Sequence, residues 1–137
     1  MSVNNKLPIM EILLLLGRIV FGGYFIMAGF NHFANLKMMS GYARSKNVPA
    51  PSLAVGGTGV MLILGGLSVV LGVLPVLGLL ILILFLIPTT LMMHNYWTIE
   101  DPVQRMGEQV NFLKNLGLAG ASLTLMHGAA NWPLSLF

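Results

Sequence analysis

The chain has no cysteine and very little charge. Without thiols there is no disulfide, no Cys-x-x-Cys redox pair, no thiolate metal site and no iron–sulfur ligation in this subunit. A four-helix membrane thiol oxidoreductase is excluded with them. Charged residues make up 8% of the sequence, where soluble domains carry about 25%. At 137 residues there is room for one domain, and a soluble domain could not cover its surface with so few charges. Also missing are a phosphate-binding glycine loop, a Ser/His/Asp arrangement and a pair of acids within one apolar run, so nothing points to a hydrolase or an ion pump.

What is abundant is apolar. Hydrophobic residues form 56% of the chain and the mean hydropathy is +0.85. Four apolar runs, at about residues 9–30, 52–74, 75–96 and 110–127, each approach the roughly 20 residues that span hydrocarbon. They are continuous, lack period-two alternation and are too long for strands, so they predict helices. Pro8, Pro51 and Pro75 stand where a helix tolerates a missing N–H. The expected fold is an all-α, integral membrane four-helix bundle of antiparallel up-down topology. Only residues 72–75 separate the second and third helices, which makes them a tight hairpin. Pro88 should kink the third helix and free a carbonyl near Leu84. The 16 glycines crowd the second helix (Gly56, Gly57, Gly59, Gly65, Gly66) and the fourth (Gly117, Gly120). Small residues there suit close helix packing, within the bundle or along a homo-oligomer or partner-subunit seam.

The net charge is +3 and the isoelectric point about 9.6, yet the basic residues form no stripe and no aromatics interleave them, so no nucleic-acid partner is expected. They sort by side instead. Lys37, Arg44, Lys46, Arg105 and Lys114 fall on the face that carries the two long connections, residues 31–50 and 97–109, and Lys6 falls on the other. Positive residues in short loops stay in the cytoplasm. The N-terminus does not look like a cleavable signal, because its apolar stretch runs on to Phe30 without a small-x-small site.

Arg18 is the most unusual residue. It lies about nine residues into the first helix, roughly 13 Å deep at 1.5 Å per residue, where a charge faces the bundle interior or a partner. Glu11, two turns earlier on the same face, is in reach because arginine leans toward the helix N-terminus. Two readings are open: a structural charge satisfied by Glu11, backbone carbonyls or lipid phosphate, and a ligand-holding charge for an anionic or carbonyl-bearing group. At the charged face, polar residues converge from three helix ends: Asn31 and His32; His94, Asn95, Tyr96 and Trp97; Asn111, Lys114 and Asn115. Histidine and tyrosine beside an aromatic suit hydrogen bonding to a quinone and proton transfer. The same residues also suit helix capping and an interfacial aromatic belt. Two histidines without a third ligand fixed by spacing do not make a metal or haem site. His127 reads as a lone interfacial histidine, and the ten methionines as adaptable packing.

Three motifs in order resemble the DoxX family of small four-helix bacterial and archaeal membrane proteins, over about residues 16–136. The first is Gly17 and Arg18 followed by Phe21, Phe25, Gly29 and His32. The second is His94, Asn95, Tyr96 and Trp97. The third, and most specific, is Asn111, Phe112, Leu113, Lys114 and Asn115 followed by Ala119 and Gly120. The resemblance implies a multi-pass protein of a prokaryotic inner membrane. It also implies kinship with a thiosulfate:quinone oxidoreductase subunit and with membrane-linked redox complexes. Two positions depart from the family pattern. Leu62 stands where many members carry a glutamate, and His32 where many carry a lysine. Two functions remain open: a subunit of a quinone-linked redox system that binds a quinone or lipid near His32, His94, Trp97, Asn111 and Lys114, or a non-catalytic subunit packed against other membrane proteins. The charge count predicts both termini outside the cytoplasm. A reporter fused after Phe137 should therefore be active only if exported, and a cytoplasmic signal from it would reverse the topology.

Overall fold

Proline opens three of the five helices, at the position where its missing N–H leaves no helical bond unmade. The structure is a computed structural model that describes residues 6–136, so Met1 and its amine, which bear on the topology count, lie outside the described residues. Its helices are α1 (Lys6–Ala34), α2 (Leu36–Ser45), α3 (Pro51–Leu71), α4 (Pro75–Met93) and α5 (Pro102–Met126), with 3₁₀ turns at Tyr96–Thr98 and Ala129–Asn131. Two expectations change. The connection at residues 31–50 holds a short amphipathic helix, α2. The last helix begins at Pro102 rather than near residue 110, because Asp101 caps it by accepting from the Gln104 N–H at 2.8 Å. Glu108 therefore lies on a helix rather than in a loop.

Three segments are long and apolar enough to cross a membrane: Pro8–Ala34, Pro51–Leu71 and Pro75–Thr98. α5 has the length but not the composition, since Arg105, Glu108 and Lys114 interrupt it. The expected set of four equivalent apolar runs is thus three, plus a more polar helix of 25 residues. The chain is an all-α, multi-pass membrane protein.

The helices pack in a row. α1 lies on α3, α3 on α4, and α4 on α5, while α1 and α5 are not a packed pair. Glycine sets the closest seam. A Cβ at Gly22 would meet the Gly66 carbonyl at 2.6 Å, and one at Gly29 would meet the Gly59 carbonyl at 2.7 Å. These two pairs, each spaced seven residues along its helix, let the α1 and α3 backbones touch. Gly65 and Gly78 do the same for α3 against α4. The glycines of α5 behave otherwise. Gly117 and Gly120 face open space, so they do not pack within the chain. Buried Phe25, Leu62, Leu82, Leu86 and Ala119 form the core across the row.

The end of the molecule at the α3–α4 turn is closed by the C-terminal tail, and Arg18 is what holds it. Arg18 is 1% exposed. Its Nε donates to the Val69 carbonyl (3.0 Å), Nη2 to Val70 (3.0 Å) and Nη1 to Pro133 (2.7 Å). The Trp132 ring packs on the guanidinium, 5.1 Å from its carbon to the ring centroid. A helix leaves its last four carbonyls without intrahelical partners, and here every one is satisfied. Ser68 O accepts from the Gly72 and Val73 N–H groups, Arg18 takes Val69 and Val70, and the Leu136 N–H takes Leu71 O at 3.0 Å. The expected Glu11 pairing is not made. Among the described residues the one ion pair is elsewhere, and each guanidinium nitrogen donates to a backbone carbonyl instead. Arg18→Leu would leave up to three carbonyls short of a donor, at about 1–3 kcal/mol for each one left unsatisfied. Arg18→Lys should fall between, since an ammonium lacks the fork. In this cysteine-free chain a Ser135→Cys probe would read the tail directly. Its alkylation should speed up in the Arg18→Leu background, and an unchanged rate would mean that Arg18 does not hold the tail.

Candidate functional site

The far end of the row, where α1 finishes and α5 begins, is built differently. α2 lies across it, and beneath α2 is a pocket of about 640 Å³, within the range of small-molecule sites. One wall is the α1 stripe Tyr24, Ala28 and His32, at helical spacing, with Phe25 beside it. The floor comes from Val55, Thr58 and Leu62 of α3 and Phe85, Leu86 and Thr89 of α4. Lys114 and Asn115 of α5 form the opposite wall, and Met39, Tyr42 and Ala43 of α2 form the roof. Most of this surface is apolar, and Leu62 keeps the floor so.

The polar groups differ in how they are committed. His32 Nδ1 lies 3.0 Å from the Val55 carbonyl and 3.1 Å from the Thr58 hydroxyl. A carbonyl only accepts, so Nδ1 carries the hydrogen, and in the neutral ring Nε2 is left as an acceptor. His94 is fixed in the same way: its Nδ1 lies 2.6 Å from Glu108 Oε2. The other Glu108 oxygen accepts from the Tyr42 hydroxyl at 3.1 Å, and that hydroxyl also lies 3.2 Å from the Met93 carbonyl. Lys46 Nζ donates to Asn95 Oδ1 at 2.6 Å. These bonds tie α2 to the end of α4 and to α5. Asn115 stands apart. It is 6% exposed, it lines the pocket, and its amide makes no hydrogen bond among the described residues. The fully buried side-chain polar atom without a partner among the described residues is Ser40 Oγ; the Asn115 amide instead opens onto the pocket, where it is free to meet a bound group.

Of the residues expected to form one site, the structure brings together His32, His94 and Lys114. Trp97 and Asn111 do not line the pocket. Trp97 is 56% exposed and joins Tyr96 and Phe112 in an edge-to-face triangle, with centroids 5.4–5.8 Å apart. Tyr42 and Glu108 were not among the expected site residues, and Asn115 was expected in the polar cluster but not singled out for ligand binding. Met38, Met39, Tyr42 and Ala43 do repeat at helical spacing, a signal for α2. No sequence signal pairs Glu108 with His94 or Tyr42, because only packing brings the ends of α4, α5 and α2 together. Among the described residues no cluster of three His, Cys, Asp or Glu could hold a metal.

A row of long apolar helices with a mostly apolar pocket under an interfacial helix defines a polytopic helical membrane protein. The sequence profile of the DoxX family matches residues 13–95, more than half of the chain, and the protein belongs to the DoxX family. The match takes in the Arg18 motif and the first two residues of the His94–Trp97 motif, and it stops before the motif at residues 111–120 that is the most specific part of the resemblance. No curated protein and no solved structure matches the chain.

The Tyr42 hydroxyl is held protonated, its pKa pushed up to about 12, first by burial and then by the charge and hydrogen bond of Glu108. Between pH 10 and 12 the unfolded chain releases this proton while the folded chain keeps it, so stability should fall across that window. Tyr42→Phe should remove this contribution to the slope. Glu108→Gln should bring the phenol titration, read by ultraviolet absorbance as wild type minus Tyr42→Phe, part of the way back toward 10. A Tyr42 titration unaffected by Glu108→Gln would rule out the contact.

Proposed function

We propose that this DoxX protein is a subunit of a quinone-linked redox system in a prokaryotic plasma membrane and that its pocket binds the quinone head. The observation that carries this reading is Asn115, an amide with no protein partner among the described residues that opens onto a mostly apolar pocket. Lys114 and the Asn115 amide supply donors for quinone carbonyls. The Nε2 atoms of His32 and His94 supply acceptors for the hydroxyls of the reduced form. The kinship of the family with a quinone-reducing complex supports the same chemistry.

The reading includes α5 as a fourth crossing. It runs beside α4 from the α2 end to the end closed by its own tail, and 25 residues at 1.5 Å each cover about 37 Å. Its polar residues then face the pocket end, and both termini lie outside the cytoplasm. The chain carries no electron-transferring group that its own residues suggest, so the redox reaction requires a partner subunit. The open glycines at Gly117 and Gly120 favour α5 as the face for that partner, which is also the face an accessory role would use.

Asn115→Leu separates binding from folding. A group with no protein partner has nothing to lose in the empty protein, so thermal stability without quinone should be unchanged or raised. Quinone retention should fall about tenfold or more, the equivalent of one buried hydrogen bond of roughly 1–3 kcal/mol. Lys114→Ala should act in the same direction. Retention at the wild-type level in both variants would leave the pocket polar groups a packing role only.

A further inference from the structure

The helix row is open on one side, and only part of that side is closed. α1 and α5 do not pack on each other. At one end the tail bridges them, through Trp132 and Pro133 on Arg18. At the other end α2 roofs the pocket and is latched to α4 and α5 by Tyr42 and Lys46. Between the strap and the roof stand the two facing pocket walls, Tyr24 and Ala28 on α1 and Lys114 and Asn115 on α5. Tyr24, Met38 and Lys114 line the pocket and are themselves exposed, so the mouth lies among them. α1 is a membrane span over this stretch, which puts the mouth beside acyl chains rather than over the aqueous loops.

We infer that the ligand is a long-chain amphiphile taken laterally from the bilayer between α1 and α5, with its polar head inward at Asn115 and His32 and its chain left in the mouth. This inference rests on the quinone reading and adds the route and the chain. A cavity of about 640 Å³ takes a head of small-molecule size, and a polyisoprenoid chain attached to it has to leave. The α1–α5 gap, left unpacked between the two pocket walls, is an apolar exit beside a span. The latches on α2 oppose a route from the water side. Lys114 at the rim has no partner among the described residues, and its long stem lets the ammonium lie over the mouth or turn inward onto a bound head.

The absence of native cysteine makes the gap testable in the full-length protein in lipid nanodiscs. Phe21→Cys with Leu118→Cys puts one thiol on each helix about a turn from Tyr24 and Lys114, at residues that pack on the core and do not line the pocket, and a flexible bismaleimide bridges them. The probes are a benzoquinone carrying a decyl chain and the same benzoquinone without a chain. In the unbridged protein the decyl form should bind and the chain-free form should bind about tenfold more weakly or worse, because its chain contacts are lost. Bridging should slow uptake of the decyl form by about tenfold or more, since access then requires an extra conformational step. The chain-free form should bind the bridged protein as it does the unbridged one, which also reports that the bridge has not unfolded the pocket. Equal uptake of the decyl form with and without the bridge overturns the lateral route while leaving the quinone reading in place. Equal affinity for the two probes overturns the chain requirement in the same way. If the unbridged protein binds neither probe, the quinone reading falls and the route falls with it.

Discussion

A single guanidinium, buried in a helix that must otherwise be apolar, holds one end of this protein together. Hydrocarbon offers no water to the last carbonyls of a helix, and each must find a donor within the protein. Arg18 supplies two donors to the end of α3 and one to the tail at Pro133. The cost of burying its charge and the cost of leaving α3 unsatisfied are therefore met by one set of contacts. The tail benefits as well. Trp132 is seated in the core against the guanidinium, and Leu136 finishes the α3 terminus. Arg18 is structural in this arrangement, and the polar groups available to a ligand are at the other end.

The two ends divide the work because the glycine seams leave them free to differ. Close approach at Gly22–Gly66 and Gly29–Gly59 welds α1 to α3, and Gly65 with Gly78 welds α3 to α4. Those contacts fix three helices as a rigid wall. Of the three wall helices α5 packs on α4, so the space between α5 and α1 can be strapped by the tail at one end and left as a pocket under α2 at the other. Packing density in the wall and void in the pocket follow from where the glycines stand.

At the pocket end the polar chemistry is layered. Tyr42, Glu108 and His94 satisfy one another and hold α2 in place, and His32 is held by α3 through Val55 and Thr58. Groups that are already satisfied orient the site. Those that are not, Asn115 and Lys114, are left to meet whatever enters it. The same division explains why Trp97 belongs to an exposed aromatic triangle rather than to the pocket: the 3₁₀ turn at Tyr96–Thr98 turns it onto Phe112 of α5.

Sequence alone determined the class of protein, the family and the three apolar spans, because membrane insertion depends on the length and apolarity of each segment taken separately. It also marked Arg18 as buried and His32, His94 and Lys114 as neighbours in depth, since depth follows from position along a span. The helix start at Pro102 and the helix α2 went unread in it, although the Asp101–Pro102 pair and the spacing of Met38, Met39, Tyr42 and Ala43 carry a signal for each. Only the tertiary structure decided that Arg18 serves α3 and the tail rather than Glu11, and that Glu108 joins His94 and Tyr42. It decided too that Gly117 and Gly120 face outward and that Asn115 has no partner. Each of these depends on which faces of different helices meet. Rotation about a helix axis is set by the steric fit of glycine seams and by the need to pair every buried donor and acceptor, and that fit exists only between segments.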